Sequence, residues 1–329
     1  MNGTWAFRVA SKSEVGGGHI ARCRAVAEAM PEDVSVVFVL DPEGSDWKSK
    51  LEQVGITAIC EGEDEPKDWV GCLMDGYHFN EDDAANWKKK TGWLACVDDF
   101  GTPLHAADLV VAPSFSPEDV ADIGVPYLTG PQYAMIAAAF ARLLPPQIKD
   151  DVEHLLVSFG LRDSWNATSL VLDAIAGMEA VDRLHCITVA LGTQAPHRPA
   201  VLKKIDNLSF KVKLTSEKDD FLSLMTKTDM VIGAGGVSLF ERMASARPSI
   251  TLTTARNQEP SARAAGQAGA TCYLADSRDI EATFLTEQID DFVSSFDLRQ
   301  KMSARAQEFV DGKGAVRISE VLLKLSNVH

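Results

Sequence analysis

The chain has no surplus of basic residues: 32 Lys and Arg stand against 47 Asp and Glu, giving a net charge of −15 and a pI near 4.9. That balance excludes a surface built to track a nucleic-acid backbone or an anionic membrane. Small anionic molecules stay open to it, because helix N-termini and a few arginines bind phosphate locally. No run approaches the roughly 18 apolar residues of a membrane span, and no basic segment followed by an apolar core opens the sequence. Neither membrane insertion nor a signal peptide is therefore expected. The six cysteines (23, 60, 72, 96, 186 and 272) form no CxxC pair and no zinc spacing. Most sit in apolar surroundings such as Leu94-Ala95-Cys96-Val97, which predicts buried free thiols in a reducing compartment, the cytoplasm. Biased tracts and short-period repeats are also lacking.

What is present is a globular composition, 46% hydrophobic and 24% charged, over 329 residues, enough for two domains that each bury a core. Apolar strand-like runs at Trp5–Ala10, Val34–Leu40, Ile56–Cys60, Val70–Asp75, Trp93–Asp98 and Leu109–Ala112 alternate with helical patterns at Ile20–Met30 and Ser45–Val54. The segment Leu144–Asp151, with Pro145-Pro146 followed by charge, cannot continue a helix and reads as a linker. Alternation then restarts, with strands expected near Glu153–Phe159, His185–Ala190, Phe210–Leu214, Met230–Ile232, Ser249–Leu252 and Ala270–Tyr273. The expected plan is thus a domain over 1–143, a linker over 144–151 and a domain over 152–329 ending in a helical tail. Strands alternating with helices predict α/β domains with mostly parallel, doubly wound sheets. Ligands of such sheets bind beyond the carboxyl ends of the strands, so the residues after each strand are the candidates.

The first strand runs into Gly16-Gly17-Gly18-His19-Ile20-Ala21-Arg22. Glycines allow close backbone approach to a ligand, and the helix that follows offers free N–H groups and a positive dipole end. His19 sits where these converge and is the candidate reaction centre. Asp75-Gly76-Tyr77-His78 and Val97-Asp98-Asp99-Phe100-Gly101 are strand-end clusters whose carboxylates either polarise a histidine or cap a turn, with Asp99 placed for the turn. In the second half, Gly233-Ala234-Gly235-Gly236-Val237-Ser238 leads from a strand into a helix. It is not a Walker loop, since no Gly-Lys-Ser/Thr follows, nor is it GxGxxG. It is either a phosphate cradle or a tight strand–helix junction. Glu241, three residues after Ser238, either completes a capping box or accepts bonds from ribose hydroxyls. Asn257 and Gln258 at the end of the next strand either cap a helix or meet sugar hydroxyls. Beyond the first strand of this half, Arg162 is a phosphate candidate and Asp163 a helix cap. The histidines at 105, 154, 185, 197 and 329 show no metal spacing.

Taken together, the runs Gly16–Arg22, Asp75-x-Tyr77, Asp98-Asp99, Gly130-x-x-Tyr133-Ala134, Ser238-x-x-Glu241 and Asn257-Gln258 resemble the UDP-sugar hydrolases of pseudaminic acid biosynthesis. The resemblance implies two Rossmann-like domains facing across a cleft, the GT-B type, and hydrolysis of a UDP-linked diacetamido-trideoxy sugar for nonulosonic acid and flagellin glycosylation. By the same carry-over, His19 is catalytic. Gly17, Gly18, Arg22, Tyr77, Tyr133, Asn257 and Gln258 bind the substrate, and Gly160, Gly235, Gly236, Ser238 and Glu241 hold the nucleotide. It implies no metal and no cofactor. Two departures, Gly160-Leu161-Arg162-Asp163 in place of Gly-Gly-Ser/Thr-Asp and Ile136–Phe140 after the Tyr-Ala pair, point to a remodelled pocket. The alternatives are a GT-B glycosyltransferase, whose histidine deprotonates an acceptor hydroxyl, and an inactive nucleotide-sugar binding protein.

Overall fold

The computed structural model describes residues 3–12, 17–102, 104–114, 120, 122–216 and 221–326. Gly16 of the first glycine run and His329 lie outside them. Contacts divide the chain into two compact units, Met1–Ala138 with Lys313–His329, and Ala139–Gly312.

Unit 1 carries β1 (Thr4–Val9), α1 (Gly18–Glu28), β2 (Ser35–Leu40), α2 (Ser45–Glu52), β3 (Ala58–Cys60) and β4 (Trp69–Asp75). It continues with α3 (Glu81–Thr91), β5 (Leu94–Val97), β6 (Leu109–Ala112) and β7 (Tyr127–Thr129). All pairings are parallel, in the order β3-β2-β1-β4-β5-β6-β7. Both faces are covered, as a parallel sheet requires. Trp5, Phe7 and Val9 of β1 enter one core with α1, while Ala6 enters another with Ala84 and Trp87 of α3. Arg8 points to the second face and stays buried because Asp41 (2.9 Å) and Glu61 (2.8 Å) neutralise it.

Between the units' sheets in sequence comes the short helix α4 (Ala138–Ala141). Unit 2 then repeats the design with β8 (Val152–Ser158), α5 (Ala167–Ala176), β9 (Leu184–Ala190), α6 (Arg198–Ile205), β10 (Val212–Thr215) and α7 (Phe221–Thr226). After these come β11 (Met230–Ala234), α8 (Val237–Ala244), β12 (Ser249–Thr253), α9 (Glu259–Gln267), β13 (Cys272–Asp276), α10 (Ala282–Ser294) and α11 (Phe296–Phe309). Its sheet is also parallel, in the order β10-β9-β8-β11-β12-β13.

The last helix, α12 (Gly314–Ser326), differs from the expected plan. The sequence pattern places the tail in the second domain, but Ala315, Ile318 and Leu322 lie in the unit 1 core with Ile20, Cys23 and Val26 of α1. The hydroxyl of Ser319 also donates to the Ala29 carbonyl at 3.2 Å. An apolar stripe on α12 meets the matching stripe on α1, and that burial outweighs sequence proximity.

In each sheet the strand order reverses beside the first strand of its unit, between β1 and β4 and between β8 and β11. These switch points open a crevice at the carboxyl ends, the place where doubly wound sheets take ligands.

Candidate active site

At the unit 1 switch point, β4 ends on Asp75 and β1 leads to the start of α1. Gly17 precedes α1, and a Cβ there would lie 2.9 Å from the Trp47 ring, so glycine lets this turn pack against α2. No side chain caps α1, and no acidic residue stands in its first turn. His19 and Arg22, three positions apart on one helix face, both reach Asp75. His19 Nδ1 lies 2.6 Å from Asp75 Oδ1, while Arg22 Nε and Nη2 each donate to Asp75 at 2.5 Å. Cys23 Sγ is 3.5 Å from the same carboxylate. Arg22 Nη1 donates to Asp99 Oδ2 at 2.6 Å, and the Tyr77 hydroxyl donates to that oxygen at 3.0 Å. The Tyr77 ring stands edge-on to His19, with centroids 4.3 Å apart and planes at 74°.

Electrostatics fix the proton positions. Burial works against a charge on Asp75, yet the Arg22 guanidinium and the His19 ring hold its carboxyl well below the usual range. Burial also opposes the charge on Arg22, and Asp75 and Asp99 outweigh it. An ionised carboxylate can only accept, so the 2.6 Å contact requires a proton on His19 Nδ1. Nη2 of Arg22, 3.1 Å from Nδ1, therefore gives its proton to Asp75. A ring carrying its one proton on Nδ1 leaves the lone pair on Nε2. His19 is only 4% exposed, but Nε2 bonds to no described residue and is not among the fully buried unpaired atoms. Asp75 thus orients the ring through Nδ1, and in this tautomer Nε2 is the nitrogen that can accept a proton.

The neighbouring acidic pair works in the reverse of the expected order. Asp98, not Asp99, caps the turn, its Oδ1 accepting from the Phe100 amide at 2.8 Å. Asp99 instead belongs to the Arg22–Tyr77 network. Burial and Asp99 together raise the phenol of Tyr77, which therefore stays a donor at neutral pH. Arg22, expected to bind substrate, is 7% exposed with its guanidinium engaged by Asp75 and Asp99. Tyr133 lies in a short turn of helix at Pro131–Tyr133 and packs on the unit 1 core. No hydrogen bond or ring contact among the described residues joins it to His19.

At the unit 2 switch point two loops meet. Gly160 follows β8 at φ 82°, a left-handed turn that favours glycine, and Leu161 and Arg162 beyond it are exposed. Asp163 caps α5 as expected, accepting from the amides of Ala167 and Thr168 at 2.9 Å each. After β11, Gly235 and Gly236 lead into α8, which no side chain caps, so Ser238 and Glu241 form no capping box. Ser238 Oγ instead lies 3.4 Å from Arg242 Nη1. Gln258 ties the turn to β12, its Oε1 accepting from the amides of Gly235 (3.2 Å) and Thr254 (2.9 Å). Asn257 shares the short helical turn Arg256–Gln258 with it.

The Glu241 carboxylate makes no hydrogen bond or ion pair among the described residues. Burial pushes it up to about 7, against the pull of Arg242. Its folded value thus lies above the unfolded one, so the folded state holds the proton longer and stability falls as pH rises from about 4.5 to about 7. Glu241→Gln is expected to melt with the parent at pH 4 and above it at pH 8. Parallel melting curves at both values would contradict this.

Among the described residues, one group of three has ligand atoms within 4.8 Å of one another, namely Glu153, His154 and Asp229. It sits near the amino end of β8, away from the switch point. No described helix is long and apolar enough to cross a membrane.

No protein-family model matches the chain. It is similar to the spore coat polysaccharide biosynthesis protein SpsG of Bacillus subtilis (strain 168), with 28% identity over 197 residues, 60% of this chain and 58% of that protein. The chain spans a little over half the length of the curated relatives it matches. By structure it resembles the UDP-GlcNAc 2-epimerase of Neisseria meningitidis, with a TM-score of 0.66 at 13% identity, covering 98% of this chain and 100% of that one. It also resembles spinosyn rhamnosyltransferase SpnG, with a TM-score of 0.67 at 14% identity, covering 99% of this chain and 100% of that one. These likenesses establish the fold, two doubly wound α/β domains of the GT-B type.

Proposed function

We propose that the chain is a UDP-sugar enzyme in which His19 takes a proton from the nucleophile attacking the anomeric carbon, and that the nucleophile is an acceptor hydroxyl. The observation carrying this is the buried Asp75 carboxylate on His19 Nδ1, which leaves Nε2 as the acceptor. Such a positioned base contributes about 10²–10⁴-fold to a rate. As the nucleophile loses its proton, the imidazolium that forms is stabilised by Asp75, as in other carboxylate–histidine pairs. Unit 2 supplies the nucleotide site. The α8 N-terminus suits a diphosphate, and the unpartnered Glu241 suits ribose hydroxyls. Tyr77 lies against the base and lines the sugar side.

The transferase reading draws support from the relatives. SpsG is named for polysaccharide biosynthesis and SpnG for rhamnosyl transfer, while the epimerase structure holds UDP-GlcNAc. Hydrolysis of a UDP-linked diacetamido-trideoxy sugar is the second reading. The 4% exposure of His19 favours it, since water reaches a nearly buried base more easily than a bulky hydroxyl. The test follows UDP release from UDP-GlcNAc and other UDP-hexosamines by ³¹P NMR, with and without sugar acceptors. Release only with acceptor selects transfer, release without it selects hydrolysis, and binding without release leaves a nucleotide-sugar binding protein.

A further inference from the structure

Phe100, in the loop that follows β5, is a large apolar side chain left 55% exposed beside the His19 network. The ring of Tyr77, itself 49% exposed, meets Phe100 in a T-shaped contact, with centroids 5.0 Å apart and planes at 78°. Such a contact takes up one edge or one face of Phe100, and the exposure falls on the rest of its ring. The Tyr77 hydroxyl is tied to Asp99, so the ring that supports Phe100 is held in place. Because Tyr77 also stands against His19, one aromatic ring separates an open aromatic surface from the candidate base.

The same two rings line a pocket with Asp98, Asp99 and Thr102, and no lysine or arginine lines it. Carboxylates without a cation among the walls repel phosphate and carboxylate groups. Polar walls also suit an alkyl chain poorly. A neutral sugar ring fits the mixture, since its polarised C–H groups lie on the negative face of an aromatic ring while its hydroxyls meet polar neighbours. We propose that Phe100 is the stacking surface for a neutral pyranose, the acceptor whose hydroxyl gives its proton to His19. This rests on the transferase reading above. It narrows the acceptor to an uncharged sugar, against a lipid phosphate or an acidic sugar.

The test is binding to the full chain at pH 7, followed by saturation-transfer NMR with irradiation of the aromatic protons. The probes are the methyl glycosides of glucose, galactose and mannose and those of the three corresponding uronic acids. UDP is titrated separately into the same preparations by calorimetry. At least one neutral glycoside is expected to bind, and its uronate at least about fivefold more weakly, the size of one unscreened charge pair in water. Phe100→Ala should weaken that glycoside about five- to tenfold and remove the saturation reaching the C–H protons of one ring face. Phe100→Tyr should stay within about twofold of the parent, since it keeps the aromatic face. The exposure of Phe100 allows both variants to fold, and UDP affinity should be the same in all three proteins. No binding of any neutral glycoside, equal binding of the uronates, Phe100→Ala matching the parent, or Phe100→Tyr as weak as Phe100→Ala would each overturn the stacking role. UDP bound without any glycoside would sink the sugar surface and spare the nucleotide reading. Glycoside binding that depends on Phe100, without UDP binding, would support the surface and sink the nucleotide reading.

Discussion

Asp75→Asn is expected to lower the stability of the chain by about 3–5 kcal/mol and to cut turnover by about 10⁴-fold in the molecules that remain folded. The substitution keeps the shape but removes the charge on which His19, Arg22 and Cys23 converge. Arg22 is then a buried cation paired with Asp99 alone. The amide can also donate to Nδ1, which moves the ring proton to Nε2 and takes away the base. Urea titration and steady-state rates measure the two effects separately. The stability gap should depend on acidity. Because the folded carboxyl titrates below its unfolded value, its contribution is complete above about pH 4 and fades as pH falls further. A parent–variant gap that stayed constant from pH 7 down to pH 3 would show that the charge is not the source.

His19→Ala carries the second large effect, on rate alone. Turnover should fall about 10³-fold, within the range of a positioned general base. UDP affinity should stay within about twofold, because the proposed nucleotide site lies on unit 2. Stability should drop far less than in the Asp75 variant, since Arg22 still neutralises the carboxylate. Isothermal calorimetry with UDP and single-turnover rates distinguish these. Loss of UDP binding with the bound complex reacting at the parent rate would remove His19 from the chemistry.

Much of the frame was legible because parallel sheets covered on both faces leave near-continuous apolar runs. The expected Trp5–Ala10, Val34–Leu40 and Leu109–Ala112 meet the observed strands within a residue. Other boundaries moved by one to three positions, as at Ile56–Cys60 against Ala58–Cys60 and Ala270–Tyr273 against Cys272–Asp276, where strand ends fray. Helix α3 went unread although its signals are local. Asn80 and Asp83 form a capping box, lysines fill its last turn, and Gly92 closes it at φ 77°. Its polar face hid a stripe of only Ala84, Trp87 and Thr91.

For the candidate site, the place of His19 in the fold was legible and its partners were not. His19 stands at the carboxyl edge of its sheet, where glycines and a helix start pointed. The family resemblance implied a substrate contact for Arg22, yet the structure gives it two carboxylates brought from 53 and 77 positions away. Long-range pairing of this kind leaves no periodic trace. The i, i+3 spacing of His19 and Arg22 was the available sign that both serve one centre. The exchange of duties between Asp98 and Asp99 rests on which of two adjacent side chains points inward, which alternation alone does not settle at a strand end. The buried pair of Arg8 with Asp41 was equally silent, since an arginine in an apolar run reads as a surface residue.

The placement of α12 has a consequence for how the protein is made. Unit 2 lies wholly within the span that the ribosome completes before residue 313, so its core can close while synthesis continues. Unit 1 receives Ala315, Ile318 and Leu322 only after all of unit 2 has been made. Those residues brace the helix that bears His19. The His19 imidazole is therefore braced only after unit 2 is complete, and a chain cut short before residue 313 would have all of unit 2 but a unit 1 core without α12.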